Sequence, residues 1–348
     1  MRLEGIVLDG VTAGSGMIWF AFFFALGAAG TAVARGYARH RNLVDLPGER
    51  RSHSTPTPRG GGVSIVAALM VAMFVLALRG TPQVAALLAM AIGLAMVAGI
   101  GMIDDHRPLS PWLRLSVHAV AATLLGLAIA DSAQSPLAGL FAFALAMALT
   151  NVWNFMDGIN GIAASQAALV AGLLAGWQAG AWSALALALV AACLGFLPFN
   201  FPRARIFLGD VGSGAIGFAL AGLLALVIRL PDSGADLLLL LPLSAFLVDA
   251  GLTLLRRAVR GERWWTAHAQ HAYQVWARRS GHAWVTVAYA AWTLAAVALA
   301  ASLGNASQTF ILKITVAWYT TAAVAWGVLQ ALDPNKSAGK RQPQKDGE

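Results

Sequence analysis

Apolar stretches and short polar connections alternate along almost the whole chain. Each apolar stretch holds about 18 residues or more, which at about 1.5 Å per residue spans the hydrocarbon core of a bilayer as a helix. Helices are expected because every backbone polar group in hydrocarbon has to be satisfied within its own segment. The pattern predicts eleven membrane helices, at about residues 14–34, 61–78, 83–102, 113–130, 136–155, 161–178, 181–198, 213–230, 236–255, 284–302 and 309–331. The sequence therefore predicts an all-α polytopic membrane protein, with residues 1–332 in a single domain.

Positive charge lies mainly on one set of connections. The predicted connections alternate between short and long, and the long ones together with the C-terminal tail carry most of the 24 Lys and Arg residues. Cytoplasmic loops carry an excess of these bases, so we expect the long connections and the C-terminus in the cytoplasm and the N-terminus outside. The tail, residues 333–348, is polar and is predicted to be a disordered cytoplasmic segment.

Composition supports the membrane prediction and limits the partners. Hydrophobic residues make up 58% of the chain and charged residues 11%, whereas soluble domains carry about 25% charged residues. A formal charge of +8 would suggest nucleic acid in a soluble protein. Here the cytoplasmic loops account for it, so we expect the lipid bilayer and not nucleic acid as a partner. The single Cys193 lies in an apolar run and excludes a disulfide framework or a cysteine metal site.

A polar segment from Asn151 to Gly161 interrupts the apolar pattern most sharply. On a helix, Asn151, Asn154 and Asp157 share one side because they are spaced three residues apart. A polar stripe at the end of a buried helix is costly unless something polar meets it. The segment therefore indicates a site for a cation or a phosphate-bearing ligand, and the alternative is a solvated helix end with an Asn-rich turn.

Two further islands carry carboxylates at predicted cytoplasmic helix ends. Asp104 and Asp105 are adjacent, so they repel one another and need a counter-ion. Mg²⁺ suits this role because it accepts one or two carboxylates plus substrate phosphates. Asp210 lies among glycines at the start of a predicted helix, where backbone N–H groups favour an anion and the carboxylate can hold a metal. An ordinary solvated helix end and an ordinary helix cap are the alternatives.

Two basic islands complete the polar set. The first joins bases to a glycine run whose backbone N–H groups can approach a phosphate, at Arg51, His53, Arg59, Gly60 and Gly61. In the second, His268 and His271 are predicted to share a helix face and to bind phosphate, with a metal as the weaker interpretation. A loop that merely follows the positive-inside rule is the alternative for the first island, and an interfacial aromatic belt is the alternative for the second.

Asp249 lies inside a predicted span and is a candidate site residue by default, or else pairs with Arg256 or Arg257. All these carboxylates, with the His and Arg residues, lie toward one predicted surface of the membrane. That combination suits a metal–pyrophosphate substrate. A carboxylate-coupled transporter and a non-catalytic lipid-binding scaffold are the alternatives. Transporters place their sites near the bilayer midplane, often between internal repeats, and no repeat is found in this sequence.

The chain resembles the polyprenyl-phosphate N-acetylhexosamine-1-phosphate transferases, which include the enzymes that initiate O-antigen and the phospho-MurNAc-pentapeptide translocase. The loop from Arg51 to Gly62 is most similar to the O-antigen-initiating branch. The motifs that carry the resemblance occur in family order at Pro47–Gly62, Asp104–Asp105, Asn151–Gly161, Phe207–Ser213 and His268–Gln274.

The resemblance implies that a sugar 1-phosphate passes from a UDP-N-acetylhexosamine to undecaprenyl phosphate, with release of UMP. It implies a site on the cytoplasmic face of the bacterial inner membrane, in the synthesis of O-antigen or another envelope polysaccharide. A Mg²⁺ ion, or Mn²⁺ in its place, is expected at Asn154 and Asp210. Catalytic roles are expected for Asp104, Asp105, Asp157, His268 and His271. Substrate contacts are expected for Arg51, His53, Arg59, Gly60, Gly61, Asn151, Gly209, Gly212, Ser213 and Asp249.

Several features of the reaction are not determined by the residues. A phosphate monoester is largely a dianion at neutral pH, which favours direct attack over a covalent aspartyl intermediate. Family members often carry a base directly after the first His, and Ala269 here removes that expected phosphate contact. The identity of the hexosamine, the aspartate that acts as base and the oligomeric state, including a homodimer, stay open.

Overall fold

The computed structural model describes residues 13–46, 55–81, 83–228, 234–263, 265–266 and 268–332. These residues form α1 (Ala13–His40), α2 (Val63–Leu78), α3 (Val84–His106), α4 (Pro111–Ala133), α5 (Pro136–Met156), α6 (Ile162–Trp177), α7 (Gly180–Asn200), α8 (Asp210–Val227), α9 (Ser244–Val259), α10 (Ala272–Ser280), α11 (His282–Ser302) and α12 (Gln308–Ala331). A 3₁₀-helical segment, Gly234–Leu243, precedes α9. Two short strands, β1 (Val44–Asp45) and β2 (Thr57–Pro58), pair antiparallel, with Val44 opposite Pro58.

The prediction of an all-α polytopic membrane protein is confirmed. Each of the eleven predicted spans corresponds to a helical segment in the structure. Within the described residues, nine segments are long and apolar enough to cross a membrane, while α2 and α6 are apolar but shorter, at 16 residues each. The number of helices that cross the bilayer and the side on which each terminus lies stay predictions. The tail after Asp333 lies outside the described residues.

Two elements differ from the sequence pattern. The ninth predicted span is divided between the 3₁₀ segment and α9, and Pro242, which cannot donate a backbone hydrogen bond, lies just before the division. The long loop after α9 contains α10, a helix of only nine residues. His268 precedes α10 and His271 is its N-cap residue, so the prediction that these two histidines share a helix face is wrong.

Helix α8 forms the centre of the bundle, and nearly all of its residues are buried. Its small residues bring neighbouring backbones close: a Cβ atom at Gly217 would lie 2.2 Å from the carbonyl oxygen of Leu149 on α5. Helix α3 also approaches α8 closely, because a Cβ atom at Gly101 of α3 would lie 2.4 Å from the carbonyl oxygen of Asp210. Small residues are typical of such membrane interfaces, because packing and not hydrophobicity drives helices together in lipid.

This packing brings several helix ends together at one end of the bundle. Helices α3 and α5 end there, at His106 and Met156, while α4 and α8 begin there, at Pro111 and Asp210. The polar islands of the sequence fall at these ends. Because successive helices run in opposite directions, the end of one helix and the start of the next lie on the same side of the bundle. The fold therefore concentrates carboxylates and bases in a single region.

Candidate active site

The adjacent residues Asp104 and Asp105 have different surroundings. Asp105 is 4% exposed, and its two carboxylate oxygens accept the backbone N–H groups of Asp210 and Val211, each at 3.1 Å. These are the first two residues of α8, whose N–H groups have no partner within the helix. The side chain of Asp105, at the end of α3, therefore caps the N-terminus of α8. The backbone carbonyl of Asp105 in turn accepts a hydrogen bond from the guanidinium of Arg59.

Asp104 faces a different partner. The Nη1 atom of Arg114 lies 2.9 Å from Oδ2 of Asp104 and 2.6 Å from Oδ2 of Asp210. One guanidinium therefore bridges carboxylates from α3 and α8. The other oxygen of Asp104 accepts the backbone N–H of Leu109 at 2.6 Å. In the sequence, Arg114 is one of the bases of the predicted cytoplasmic connections and was not predicted as a site residue. Its position near the start of α4, ten residues after Asp104, is the signal that could have identified it.

A cavity of about 70 Å³ lies beside this charged group. Asn154 lies in its wall and donates its amide N–H to Oγ of Ser213 at 3.0 Å. The cavity is lined on its polar side by Arg114, His118, Asn151, Asn154 and Asp210. The structure thus brings together the predicted residues Asn151, Asn154, Asp210 and Ser213, and adds Arg114 and His118, which sequence reasoning missed.

The oxygens around this cavity fit a hard divalent cation. Among the described residues there is no group of three or more His, Cys, Asp or Glu side chains that could hold a metal by itself. Mg²⁺ does not need one, because it is usually bound by one or two carboxylates plus substrate phosphates. The carboxylate of Asp210 and the amide oxygen of Asn154 border the same cavity. These residues can form a site in which the protein supplies only a few of the metal ligands and substrate phosphates supply others.

Asp157 follows directly after α5 as its C-cap residue. Burial raises the pKa of its carboxyl group well above the usual value, and the nearby carboxylates of Asp210 and Asp105 raise the pKa further. Burial therefore favours the protonated form of this side chain when no cation lies beside it. A divalent cation beside it would lower the pKa again. That behaviour is compatible with the expected role of Asp157 in holding a nucleotide or a metal.

The glycines that follow Arg59 pack against the segment that contains Gly209 and Gly212. Gly61 donates its N–H to the carbonyl of Phe207 at 2.9 Å, and Gly62 donates to Leu208 at 2.8 Å. A Cβ atom at Gly62 would lie 2.2 Å from the Cα atom of Gly212. The N–H of Gly61 is thus engaged in backbone pairing and not directed at a ligand. Phosphate binding by these glycines stays a prediction, with a packing role for Gly61 and Gly212 evident in the structure.

Gly60 and Gly209 differ from those two because both have positive φ, +94° and +78°. A Cβ atom at Gly60 would meet nothing within 4 Å, whereas at Gly209 it would meet the carboxylate of Asp105 at 2.6 Å. Gly60 is therefore the glycine of this group with open space beside it. Arg59 is half-buried, with its Nε atom 3.8 Å from Oδ1 of Asp105. Arg51 and His53 lie outside the described residues.

Asp249 forms a second carboxylate cap. It is 2% exposed, and it accepts the backbone N–H groups of Ala272 and Tyr273, at 2.8 and 2.9 Å, at the start of α10. The hydroxyl of Tyr289 donates to the same carboxylate at 2.8 Å. Asp249 thus anchors the histidine loop and does not line the cavity described above. Its expected contact with substrate stays a prediction.

The bases that were the alternative partners of Asp249 have other partners in the structure. Arg257 pairs with Glu262 at 2.8 Å, and Arg256 donates to the amide oxygen of Gln330 at 2.6 Å. The Nδ1 atom of His271 lies 3.6 Å from Oδ1 of Asp249. The carboxylate is therefore compensated by helix N–H groups, a tyrosine and a histidine.

The two histidines lie close to each other although they do not share a helix face. Their ring centroids are 4.9 Å apart, and the ring of His271 stacks on Phe155 at the end of α5. Tyr273 joins the loop to the same helix end, since its hydroxyl donates to the carbonyl of Phe155 at 3.0 Å. Burial first, and then the nearby His271, Arg257 and Arg256, lower the pKa of His268 to about 3. In the protein without a ligand the imidazole of His268 is therefore neutral, and a phosphate beside it would raise its pKa again.

Comparison with known proteins shows that the chain is similar to several transferases. Residues 87–228 match the model of glycosyl transferase family 4. A decaprenyl-phosphate N-acetylglucosaminephosphotransferase of Mycobacterium tuberculosis is 32% identical over 225 residues, 55% of each chain. A phospho-N-acetylmuramoyl-pentapeptide-transferase of Moorella thermoacetica is 36% identical over 209 residues, 51% of this chain and 64% of the relative.

A third relative is matched over more of its length at lower identity. An undecaprenyl-phosphate alpha-N-acetylglucosaminyl 1-phosphate transferase of Thermotoga maritima is 27% identical over 261 residues, 74% of this chain and 80% of the relative. The chain spans a little over half the length of the first relatives it matches. The family match includes α5 and the carboxylates of α3 and α8, whereas the histidine loop lies beyond it.

Proposed function

We propose that the protein transfers a sugar 1-phosphate from a UDP-N-acetylhexosamine to undecaprenyl phosphate, releasing UMP. The match of residues 87–228 to the model of glycosyl transferase family 4 supports this reaction. The relatives favour this reaction over carboxylate-coupled transport. Two of them carry N-acetylglucosamine in their names, so UDP-N-acetylglucosamine is the first donor to test. We place the reaction at the cytoplasmic face of the bacterial inner membrane, because the basic connections flank the site.

One observation carries the proposal. The guanidinium of Arg114 bridges Asp104 and Asp210, and Arg114, Asp210 and Asn154 line the same cavity. The reaction has to bring an anionic acceptor up to an anionic diphosphate. A site for it therefore needs cations and metal-binding oxygens within one small region. Carboxylates from two helices, an arginine and an asparagine amide meet that requirement.

Asp210 and Asn154 would hold the metal ion, Mg²⁺ or Mn²⁺. When bound, such an ion offsets the charge of a diphosphate and makes UMP a better leaving group. In the protein without a bound ion, the positive charge of Arg114 compensates the carboxylates of Asp104 and Asp210. The amide of Asn154 is oriented by Ser213, so its oxygen is the atom available for coordination. Asp157, which follows directly after α5, would contact the nucleotide or the metal.

The acceptor phosphate needs little help to become a nucleophile, because its second pKa is about 6. In direct attack, one of its oxygens forms a bond to the β-phosphorus of the donor as the bond to the UMP oxygen breaks. Between the adjacent carboxylates, Asp104 is better suited to orient the acceptor, since it is more exposed than Asp105 and contacts Arg114 at the cavity, whereas Asp105 is buried and caps α8. Asp105 then acts by fixing the start of the helix that presents Asp210.

The test is UMP release by the purified protein in detergent with undecaprenyl phosphate, Mg²⁺ and a panel of UDP-N-acetylhexosamines. We expect UMP from one donor, dependent on the lipid and abolished by EDTA. Asp210→Ala should remove this activity without unfolding the bundle, while Asp131→Ala, at an exposed carboxylate near the other end of α4, should not. Full activity of a folded Asp210→Ala variant, or lack of UMP from every donor, would contradict the proposal.

A further inference from the structure

His118 is a buried histidine for which the reaction described above has no role. It lies on α4 and is 9% exposed. Its Nδ1 atom has no hydrogen-bond partner among the described residues. A buried polar atom without a partner is unfavourable, so such an atom in a native protein calls for an explanation.

The position of His118 suggests an explanation for the unpartnered Nδ1 atom. The side chain lines the same cavity as Arg114, Asn154 and Asp210. It faces the side chain of Asn151, whose amide N–H is already donated to the carbonyl of Met147 at 2.7 Å. The amide oxygen of Asn151 is thus left to accept an N–H from the imidazole. The ring lines the cavity, and its Nδ1 atom is the one that a ligand entering the cavity could satisfy.

His118 follows Arg114 by one helical turn, so the two side chains project from the same side of α4. Their spacing is about 6 Å along the helix axis. A single phosphate group can contact both residues at that separation. His118 lies deeper in the helix than Arg114, on the side of the cavity that is farther from the start of α4.

The apolar part of the cavity wall indicates whether this phosphate belongs to a lipid or to a nucleotide. Trp112 and Trp265 line the cavity, with ring centroids 5.9 Å apart, and both are exposed at the surface of the bundle. Trp side chains of this kind are enriched where a protein meets the membrane interface. An isoprenoid chain can lie against them, whereas a nucleotide would gain little from an apolar, membrane-side entrance.

We propose that His118, together with Arg114, binds the phosphate of the lipid acceptor. The imidazole can accept the P–OH hydrogen of a monoanionic phosphate or donate to an oxygen of the dianion. The inference rests on the proposed transferase function, and it assigns one wall of the cavity to the acceptor. His118 is a binding residue in this proposal and does not replace the carboxylates.

Binding without turnover tests the proposal. Farnesyl phosphate, a short polyprenyl phosphate, and UMP are titrated separately into the protein in detergent by calorimetry. The variants are His118→Leu, which keeps the volume but loses both nitrogens, and His118→Gln, which keeps a donor and an acceptor. Ser116→Ala is the control, because Ser116 is an exposed residue of the same helix whose hydroxyl bonds only the Trp112 carbonyl among the described residues.

We expect His118→Leu to raise the Kd for farnesyl phosphate about tenfold or more, as for the loss of a hydrogen bond to a charged group. His118→Gln should recover part of that loss, and the Kd for UMP should change by less than about twofold. Melting temperature in detergent verifies folding. If the leucine variant does not fold, His118→Ala takes its place, because it removes the imidazole without adding volume.

Unchanged affinity of a folded His118→Leu variant for farnesyl phosphate would overturn the inference, as would a wild-type protein that does not bind farnesyl phosphate. A loss confined to UMP would overturn the assignment to the acceptor. The proposed function fails separately: a protein whose lipid-phosphate binding depends on His118 but which releases no UMP from any donor would retain the inference and lose the transferase reaction.

Discussion

The carboxylate of Asp105 accepts the backbone N–H of Asp210 at 3.1 Å, although 105 residues separate the two along the chain. A side chain at the end of α3 thus fixes the start of α8, where the candidate metal ligand lies. Asp249 does the same for α10, which begins just after His271. In both places a buried carboxylate satisfies two helix N–H groups and benefits from the positive end of the helix dipole. Each cap places a functional motif and leaves the capping oxygens unavailable to a ligand.

The first prediction separates the two adjacent aspartates. Asp105→Ala leaves the N–H groups of Asp210 and Val211 buried without a partner, at a cost of about 1–3 kcal/mol each. We expect this variant to have a clearly lower melting temperature in detergent. Asp104→Ala should have a smaller effect on stability, because it loses a partly exposed ion pair and one loop hydrogen bond. Equal melting temperatures for the two variants would contradict the assignment of Asp105 as the cap.

The second prediction concerns Asp249 and its tyrosine. Tyr289→Phe removes one hydrogen bond to the carboxylate and leaves both caps of α10 in place, so we expect a loss of about 1.5–3 kcal/mol in the free energy of unfolding. Asp249→Ala removes the caps as well and should be more destabilising. Limited proteolysis should then cut near α10 faster in Asp249→Ala than in Tyr289→Phe. Identical proteolysis of the two variants would show that the caps do not hold the loop.

The third prediction tests the close packing of Gly62 against Gly212. Gly62→Ala places a methyl group 2.2 Å from the Cα atom of Gly212, so the two backbones have to separate. We expect the variant to be severely destabilised or not to accumulate. Gly99→Ala on α3 is the matched control, because a Cβ atom there meets nothing within 4 Å, and helix propensity predicts a gain of up to about 1 kcal/mol. A normal melting temperature for Gly62→Ala would mean that this contact is not tight.

The fourth prediction concerns the metal. Mn²⁺ binding in the presence of UMP is measured from the free-ion signal in electron paramagnetic resonance. Asp210→Asn should weaken binding about tenfold or more, because even groups that only orient a ligand contribute 10–100-fold. Asn154→Ala should weaken it as well, whereas Asp131→Asn should not. If Asp210→Asn binds Mn²⁺ normally, Asp210 is not a ligand.

The fifth prediction is a pH dependence of stability. The pKa of His268 is lowered to about 3 in the folded protein, while an unfolded chain has a His pKa of about 6.5. Between these values the unfolded state binds more protons, so stability is highest above pH 6.5 and falls as the pH decreases. Between pH 7.5 and pH 5, the melting temperature of the metal-free wild-type protein should therefore decrease more than that of the His268→Gln variant. Parallel pH profiles would exclude a buried neutral His268.

Much of the helical architecture was predictable because hydrocarbon imposes it locally. The apolar runs gave helix ends within a few residues, and α5 and α11 are close to their predicted bounds. The site was predictable in outline, since Asn154 and Asp210 both border one cavity. The local conformation at His268 and His271 was not, because nine residues of α10 are too few for the spacing of polar residues to show where a helix begins.

The sequence by itself determined the class of the protein, the helices and the residue types that gather at their ends, because burial in a membrane dictates which stretches are apolar and where polar groups can stand. Only the tertiary structure decided what each polar group does. Asp104 and Asp105 are identical in type and adjacent in sequence, yet one faces Arg114 and the other caps α8. Hydrogen-bond partners come from distant segments, so the division of roles depends on how the helices pack.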